Sequence, residues 1–366
     1  MKFTIKREEL LPALQNVCGV VEKRQALPIL SNLLLNVSKD GIRLVGTDME
    51  VELAATIAGN FNESGEITLS ARKLLDICRT LPDKADIGFS VTDERAMVLS
   101  GKSRFTLSTL PAQEFPQIES VKGELELKVK QSEFKALLDK TSFAMAQQDV
   151  RFYLNGLLLE FESTKLRAVA TDGHRLALAE MALNTGTKEE RQLIVPRKAV
   201  LELSRLLDEG DSDVSLTLSK NHVRITMKNQ VFTSKLIDGK FPDYKRVIPE
   251  RSKTPVTADR EALRQSLTRA SILSNEKYHG VRIVLSAGKL RALAHNPEQE
   301  EAEEEMQVNY EGEEVEIGFN VSYLLDAISN IKGDNAIIAI LNSDSSCQLY
   351  GEKDDSCLYV VMPMRL

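Results

Sequence analysis

"GLLLEFESTKLRAVATDGHRLAL", residues 156–178, reads as a strand, a second strand, a tight turn and the start of a third strand. Leu166, Ala168 and Ala170 alternate with polar positions, Asp172-Gly173 supplies the turn, and Leu176 and Leu178 resume the alternation of a half-buried strand. Two other stretches read the same way: "NLLLNVSKDGIRLVGTDMEVEL", residues 32–53, and "GVRIVLSAGKLRALAHNPEQEEAEEEM", residues 280–306. Leu33, Leu157 and Val281 stand 124 residues apart in turn, and so do Asp48, Asp172 and Asn296. Downstream, Arg72-Lys73 in "SARKLLDIC" answers Arg197-Lys198 in "VPRKAVLEL" at an offset of 125, and Ser322 follows Lys198 by 124. One shared residue means little, but landmarks recurring in one order at near-equal spacing mark an internal repeat.

The period is far above the roughly 20–50 residues of solenoid repeats, so each copy is expected to carry a core of its own. "LPAQEFPQIESVKG", residues 110–123, and "FPDYKRVIPERSKTP", residues 241–255, are rich in proline and charge and sit where linkers belong. They divide the chain into domains at 1–122, 123–250 and 251–366. Each copy reads strand, helix, several strands, second helix, more strands. Phe134, Leu137, Leu138 and Thr141 fall at i, i+3, i+4 and i+7 of one helix. Leu74, Ile77, Cys78 and Leu81, and in the third copy Leu324, Ala327, Ile328 and Ile331, make comparable apolar stripes. Pro12 should kink the first helix, since it lacks an amide hydrogen and its ring crowds the preceding turn. Short strands such as those in "VRITMKNQVFTSKLI" suit antiparallel sheets with one face covered by helices, and the class is α+β.

Composition narrows the function. The chain has 366 residues, 47 Lys and Arg against 54 Asp and Glu, and a net charge of −7, so bulk electrostatics oppose nonspecific attachment to nucleic acid. Apolar runs are too short to span a membrane and no basic-then-apolar leader opens the chain, so a cytoplasmic protein is expected. The four cysteines and four histidines lack metal-site or disulfide-framework spacing, and no metal or cofactor is expected. "SGKSRF", residues 100–105, ends like a phosphate-binding loop, but Ala96 stands where that loop needs glycine. Asp172 and His174 could serve a hydrolase, although no G-x-S-x-G elbow accompanies them.

The charges are nonetheless segregated. Arg72, Lys73 and Arg79 lie off the apolar stripe of one helix, and Arg197, Lys198 and Arg205 take their place in the next copy. Three similar domains set in an arc would add these cations into a stripe suited to a phosphate backbone, without base readout because aromatic residues are scarce there. "NPEQEEAEEEM", residues 296–306, holds six glutamates; it is either a solvated run or an edge that meets a basic edge such as Lys102 and Arg104 in another subunit. "YVVMPMRL", residues 359–366, should dock: Val360 and Val361 in the third core, with Met362, Pro363, Met364 and Leu366 lining a groove.

"MKFTIKREELL", "RQALPILSNLLL", "QQDVRFYLNGLLLE", "VATDGHRLAL", "FTSKLIDGKFPDY", "ILSNEKYHGVR", "NPEQEEAEEE" and "YVVMPMRL" together resemble the bacterial beta sliding clamps, the processivity subunits of DNA polymerase III. The resemblance spans the whole chain. It implies a non-catalytic, head-to-tail homodimer of three-domain protomers closing a six-domain ring around double-stranded DNA. It places DNA contacts on Arg24, Lys73, Gln148, Tyr153, Arg197 and Lys198, with Arg264 and Arg269 as substitutes in the third copy, which lacks the Arg-Lys pair. It sets Phe105 and Leu107 against Ile272, Leu273, Glu298, Glu300, Glu301, Glu303 and Glu304 of the partner. It also implies a cleft for short linear peptides from the polymerase core, the clamp loader and other proteins. That cleft takes Leu154, Thr171, Gly173, His174, Arg175, Leu176, Pro242, Arg246, Val247, Val360, Met362, Pro363 and Met364. The first and third copies carry "TDMEVE" and "HNPEQE" at the turn, so the cleft is expected in the second alone. The competing readings are an open monomeric nucleic-acid scaffold and the Asp172–His174 hydrolase.

Overall fold

The computed structural model describes all residues except 23–26, 93, 119–122 and 366. Among the described residues the α-helices are α1 (Arg7–Val20), α2 (Ala71–Thr80), α3 (Gln131–Asp139), α4 (Arg197–Leu206), α5 (Arg260–Ser271) and α6 (Val321–Asn330). Around them the same order of elements runs three times: one strand, a helix, four strands, a helix, three strands. Strands opening at Asn32, Gly156 and Gly280 keep the 124-residue offset read from the sequence. The apolar stripes bury as their spacing requires: Leu74 and Cys78 on α2, Phe134, Leu137 and Leu138 on α3, and Leu324, Ala327 and Ile328 on α6. α1 runs on through Pro12 from Arg7 to Val20 without a break in helix.

Sheet pairing joins the copies to one another. The chain gathers into two compact units, one of residues 1–132 with 201–236, the other of residues 133–200 with 237–366, so the second copy is divided between them. In the first unit, Gln230–Lys235 of the second copy pairs antiparallel with Val51–Ala58 of the first, which makes one twelve-stranded sheet. In the second unit, Arg175–Ala182 pairs with Asp354–Val361 of the third copy inside an eight-stranded sheet, and a four-stranded sheet stands beside it in sequence. A strand edge presents unpaired amides and carbonyls; these ladders satisfy them across the copy boundary. Val360 packs with Leu158, Val169 and Leu176 of the second copy, while its strand also pairs with Cys347–Gly351 and touches α6 of the third, as expected.

One correction concerns the sheet faces. Gly156–Phe161 is buried throughout and Lys165–Thr171 nearly so, without the predicted alternation. The cause is the expected linker at 241–255. Phe241 and Tyr244, which are buried, and the partly buried Ile237 and Ile248 lie over the face that helices leave open. Chain on both sides of a strand removes the polar face that alternation would need.

Candidate functional site

The site is assembled around the turn between Lys165–Thr171 and Arg175–Ala182, which pair in register with Thr171 opposite Leu176. The turn is held by its own side chains. Thr171 Oγ1 donates to the Arg175 carbonyl at 2.6 Å and accepts from Gly173 N at 3.1 Å. Asp172 Oδ1 accepts from His174 N at 2.9 Å and Arg175 N at 3.0 Å. Gly173 sits at φ +89°, a conformation that favours glycine, and a Cβ there would come to 3.0 Å from the Arg151 guanidinium. Because Asp172 spends its carboxylate on the turn amides and on Arg175 Nε at 3.1 Å, it is not oriented as the partner of a catalytic His174, and the hydrolase reading loses its dyad.

The segment after the last strand closes one side: Met362 N donates to the His174 carbonyl at 2.9 Å, and Met364 N to the Gly318 carbonyl at 2.9 Å. Opposite stand Pro242, Asp243, Tyr244 and Val247. The cleft holds about 220 Å³, floored by buried Leu154, Leu176, Tyr244 and Val360 and rimmed by Val247 and Met362, each about half exposed. That volume is below the roughly 300–1,000 Å³ of pockets for drug-sized ligands, so it suits a few side chains of an extended segment. Of the residues expected in a peptide cleft, Leu154, Thr171, Gly173, Arg175, Leu176, Pro242, Val247, Val360 and Met362 line it. His174, Arg246, Pro363 and Met364 lie outside its lining, and Tyr153, expected at the DNA, is among the lining residues.

Arg151, Asp243, Tyr244 and Ser346 are lining residues that sequence reading missed. Arg151 had a local signal: its guanidinium donates to Asp149 at 2.9 and 3.0 Å, two residues away, and these bonds hold the Asp149 carboxyl down at about 2. Tyr244 had none, because its partners are distant in sequence. Its hydroxyl donates to Glu160 at 3.1 Å and accepts from Arg167 at 3.0 Å. Glu160 is fully buried and also bonds Arg167 directly and Gln192 at 3.1 Å. Burial pushes the Tyr244 phenol well above its ordinary range, and although burial opposes the Arg167 charge, Tyr244 and the surrounding carboxylates keep that guanidinium protonated.

Arg175 lines the cleft, as expected, and is tied to its neighbours. It is bonded to Asp172, to Asp326 at 2.5 Å and to the Phe143 carbonyl at 2.8 Å, with its guanidinium 4.5 Å from the Tyr323 ring centre, and so shapes the cleft wall.

The expected DNA contacts fall on separate elements. Lys73 is exposed on α2 and Gln148 is exposed at φ +57°, while Arg197 is half-buried and donates to the Met145 carbonyl at 3.1 Å. Lys198 is half-buried on α4, and Arg24 lies outside the described residues, as does Leu366. The substitutes in the third copy are neutralised locally, Arg264 by Glu261 at 2.6 Å and Arg269 by Glu304 at 2.5 Å. The same pair engages Glu304, one of the acids expected at a subunit contact. Phe105 is half-buried and Leu107 buried on Ser103–Leu110, whose far edge, among the described residues, pairs only through Thr109 and Leu110. Ile272 is 74% exposed beside the half-buried Leu273. Glu298 and Glu300 are exposed in the loop before Glu301–Gln307, an edge strand that carries exposed Glu301 and Glu303. Among the described residues no three His, Cys, Asp or Glu side chains are placed to hold a metal, no helix is long and apolar enough to cross a membrane, and all four cysteines are buried thiols.

A threefold repeat of antiparallel sheet and paired helices, with a small apolar cleft where two repeats share a sheet, is the architecture of a DNA-clamp fold. Three family models cover the chain: the N-terminal, central and C-terminal domains of the DNA polymerase III beta subunit match residues 1–119, 128–243 and 245–365. The beta sliding clamps of Pseudomonas putida and Escherichia coli strain K12 are 53% and 48% identical over the full length of both chains. The crystal structure of the DNA polymerase III subunit beta from Pseudomonas aeruginosa superposes with a TM-score of 0.97 at 52% identity, covering all of each chain. The chain belongs to the DNA polymerase III beta subunit family, the beta sliding clamps.

Proposed function

We propose that this clamp works as a closed ring of two protomers, domains 1–122, 123–250 and 251–366 in each, through which duplex DNA passes. The threefold repeat carries this reading: six copies from two chains can share one inward face, where Lys73, Arg197, Lys198, Arg24 and Gln148 meet phosphate without reading sequence. Ring closure uses the two open strand edges. Ser103–Leu107, which carries exposed Arg104 and follows exposed Lys102, adds to the partner's acidic edge strand, with Phe105 and Leu107 against the partner's Ile272 and Leu273. The protein is a non-catalytic cytoplasmic tether, and its cleft takes short linear peptides from the polymerase core, the clamp loader and other DNA-processing proteins.

Sedimentation tests closure: a dimer near twice 40.8 kDa is expected, and Lys102→Glu with Arg104→Glu should shift it toward monomer. A monomer in the unmodified protein contradicts the ring. Removing residues 362–366 should abolish peptide binding and leave the dimer intact.

A further inference from the structure

The turn that bounds the cleft has a counterpart in the first repeat, with the same bonds from its Thr and Asp side chains to the backbone. Thr47 Oγ1 donates to the Val51 carbonyl at 2.9 Å and accepts from Met49 N at 3.0 Å, as Thr171 does with Arg175 and Gly173. Asp48 Oδ1 accepts from Glu50 N at 2.9 Å and Val51 N at 2.7 Å, as Asp172 does from His174 and Arg175. Lys235 N donates to the Glu50 carbonyl at 2.8 Å, where the cleft has Met362 N on His174. Beneath the turn, Leu34, Val45, Ala54 and Phe115 repeat the packing of Leu158, Val169, Leu178 and Phe241.

An opening of about 290 Å³ stands at this place too, and Pro116, Gln117 and Ile118 line it where Pro242, Asp243 and Tyr244 line the cleft. Buried Glu52 holds that wall, accepting from Ile118 N at 2.9 Å. The differences are chemical. Met49 occupies the left-handed turn position at φ +75°, strained for a residue with a side chain, and lines the opening with a flexible apolar group. Lys235, exposed, stands in place of Met362, and His222 in place of Ser346.

We propose that this opening is a second docking pocket, for a short peptide that presents a carboxylate beside an apolar side chain. The apolar group lies against Met49, Pro116 and Ile118, and the carboxylate meets Lys235. This revises the expectation that the second repeat alone bears a site, and it rests on the reading of the cleft as a peptide site.

The test uses the full-length protein with 13C-methyl methionine, in which Met49 reports the new pocket and Met362 the cleft. The probes are acetyl-Ala-Leu-Leu-Glu-amide and its Gln counterpart. The Glu peptide should shift the Met49 methyl with roughly two- to fivefold higher affinity than the Gln peptide, the range an exposed ion pair supports, and the preference should fade with salt. Lys235→Glu should reverse the preference. Lys235→Met, which installs the cleft's own residue at that place, should erase it and serves if the charge reversal fails to fold. A still Met49 methyl beside a moving Met362 overturns the second pocket and leaves the cleft reading standing. No movement at either overturns both, and equal binding of the two peptides at Met49 overturns the role of Lys235.

Discussion

Arg167→Met should loosen the second unit alone. Arg167 is 9% exposed and bonds Glu160, Glu162 at 2.9 Å, Glu180 at 3.2 Å and the Tyr244 hydroxyl, so the substitution leaves a fully buried carboxylate without its main counter-charge. Removing one member of a buried pair costs about 3–5 kcal/mol. The Tyr244 hydroxyl and Gln192 still donate to Glu160, which puts the expected cost at the lower end, about 3 kcal/mol, or roughly a hundredfold increase in opening. Buried thiols report it. Cys347 and Cys357 lie in this unit and Cys18 and Cys78 in the other, and burial raises the thiol pKa of all four, Cys18 to about 11 and Cys78 to about 12. Labelling therefore waits on opening. Thiol labelling read by peptide mass should speed up about a hundredfold at Cys347 and Cys357 and stay within about threefold at Cys18 and Cys78. Peptide affinity should fall as well, since Tyr244 floors the cleft. Equal acceleration at all four thiols, or none at Cys347, refutes the assignment of this network to one cooperative unit; Glu160→Gln added to Arg167→Met should recover part of the loss.

Gly173→Val should weaken peptide binding tenfold or more by titration calorimetry, because it forces a branched residue to positive φ, at about 1–2 kcal/mol, and pushes on Arg151. Charge reversal at Lys73 or Lys198 should lower affinity for duplex DNA and reduce its salt dependence by about one counterion per site, with sequence preference unchanged. Acid should destabilise the second unit through Asp354, which Ser356 and Lys140 hold at about 2 despite partial burial. Its folded pKa lies below the unfolded value, so this stability is present above about pH 4 and disappears as pH falls toward about 2; an acid titration by circular dichroism should lose that step in Asp354→Asn.

Periodicity made the fold legible, because every copy repeats its landmarks at one offset and strands opening at Asn32, Gly156 and Gly280 obey it. The sharing of sheets between copies was not legible. Backbone ladders such as Arg175–Ala182 with Asp354–Val361 join segments far apart in sequence and leave no compositional trace. For the same reason Phe241 and Tyr244 read as linker while they serve as core. The cleft was reached through the family's motifs, and its turn through Asp172-Gly173; Arg175 was placed at the cleft, but its partners Asp326 and Tyr323 were not legible, because they belong to a distant helix. Arg264 and Arg269 show the limit of counting cations. Glu261, one helical turn away, was visible in the sequence, but the Glu304 partner was not.

Enclosure of DNA is the central claim, and topology tests it most directly. The protein is loaded onto closed circular duplex DNA, washed at a salt concentration that removes surface-bound protein, and the circle is then cut once. The account predicts retention on the circle and loss within minutes of cutting, with retention restored by blocking both ends. Equal retention before and after the cut, or no salt-resistant retention on the circle, contradicts it.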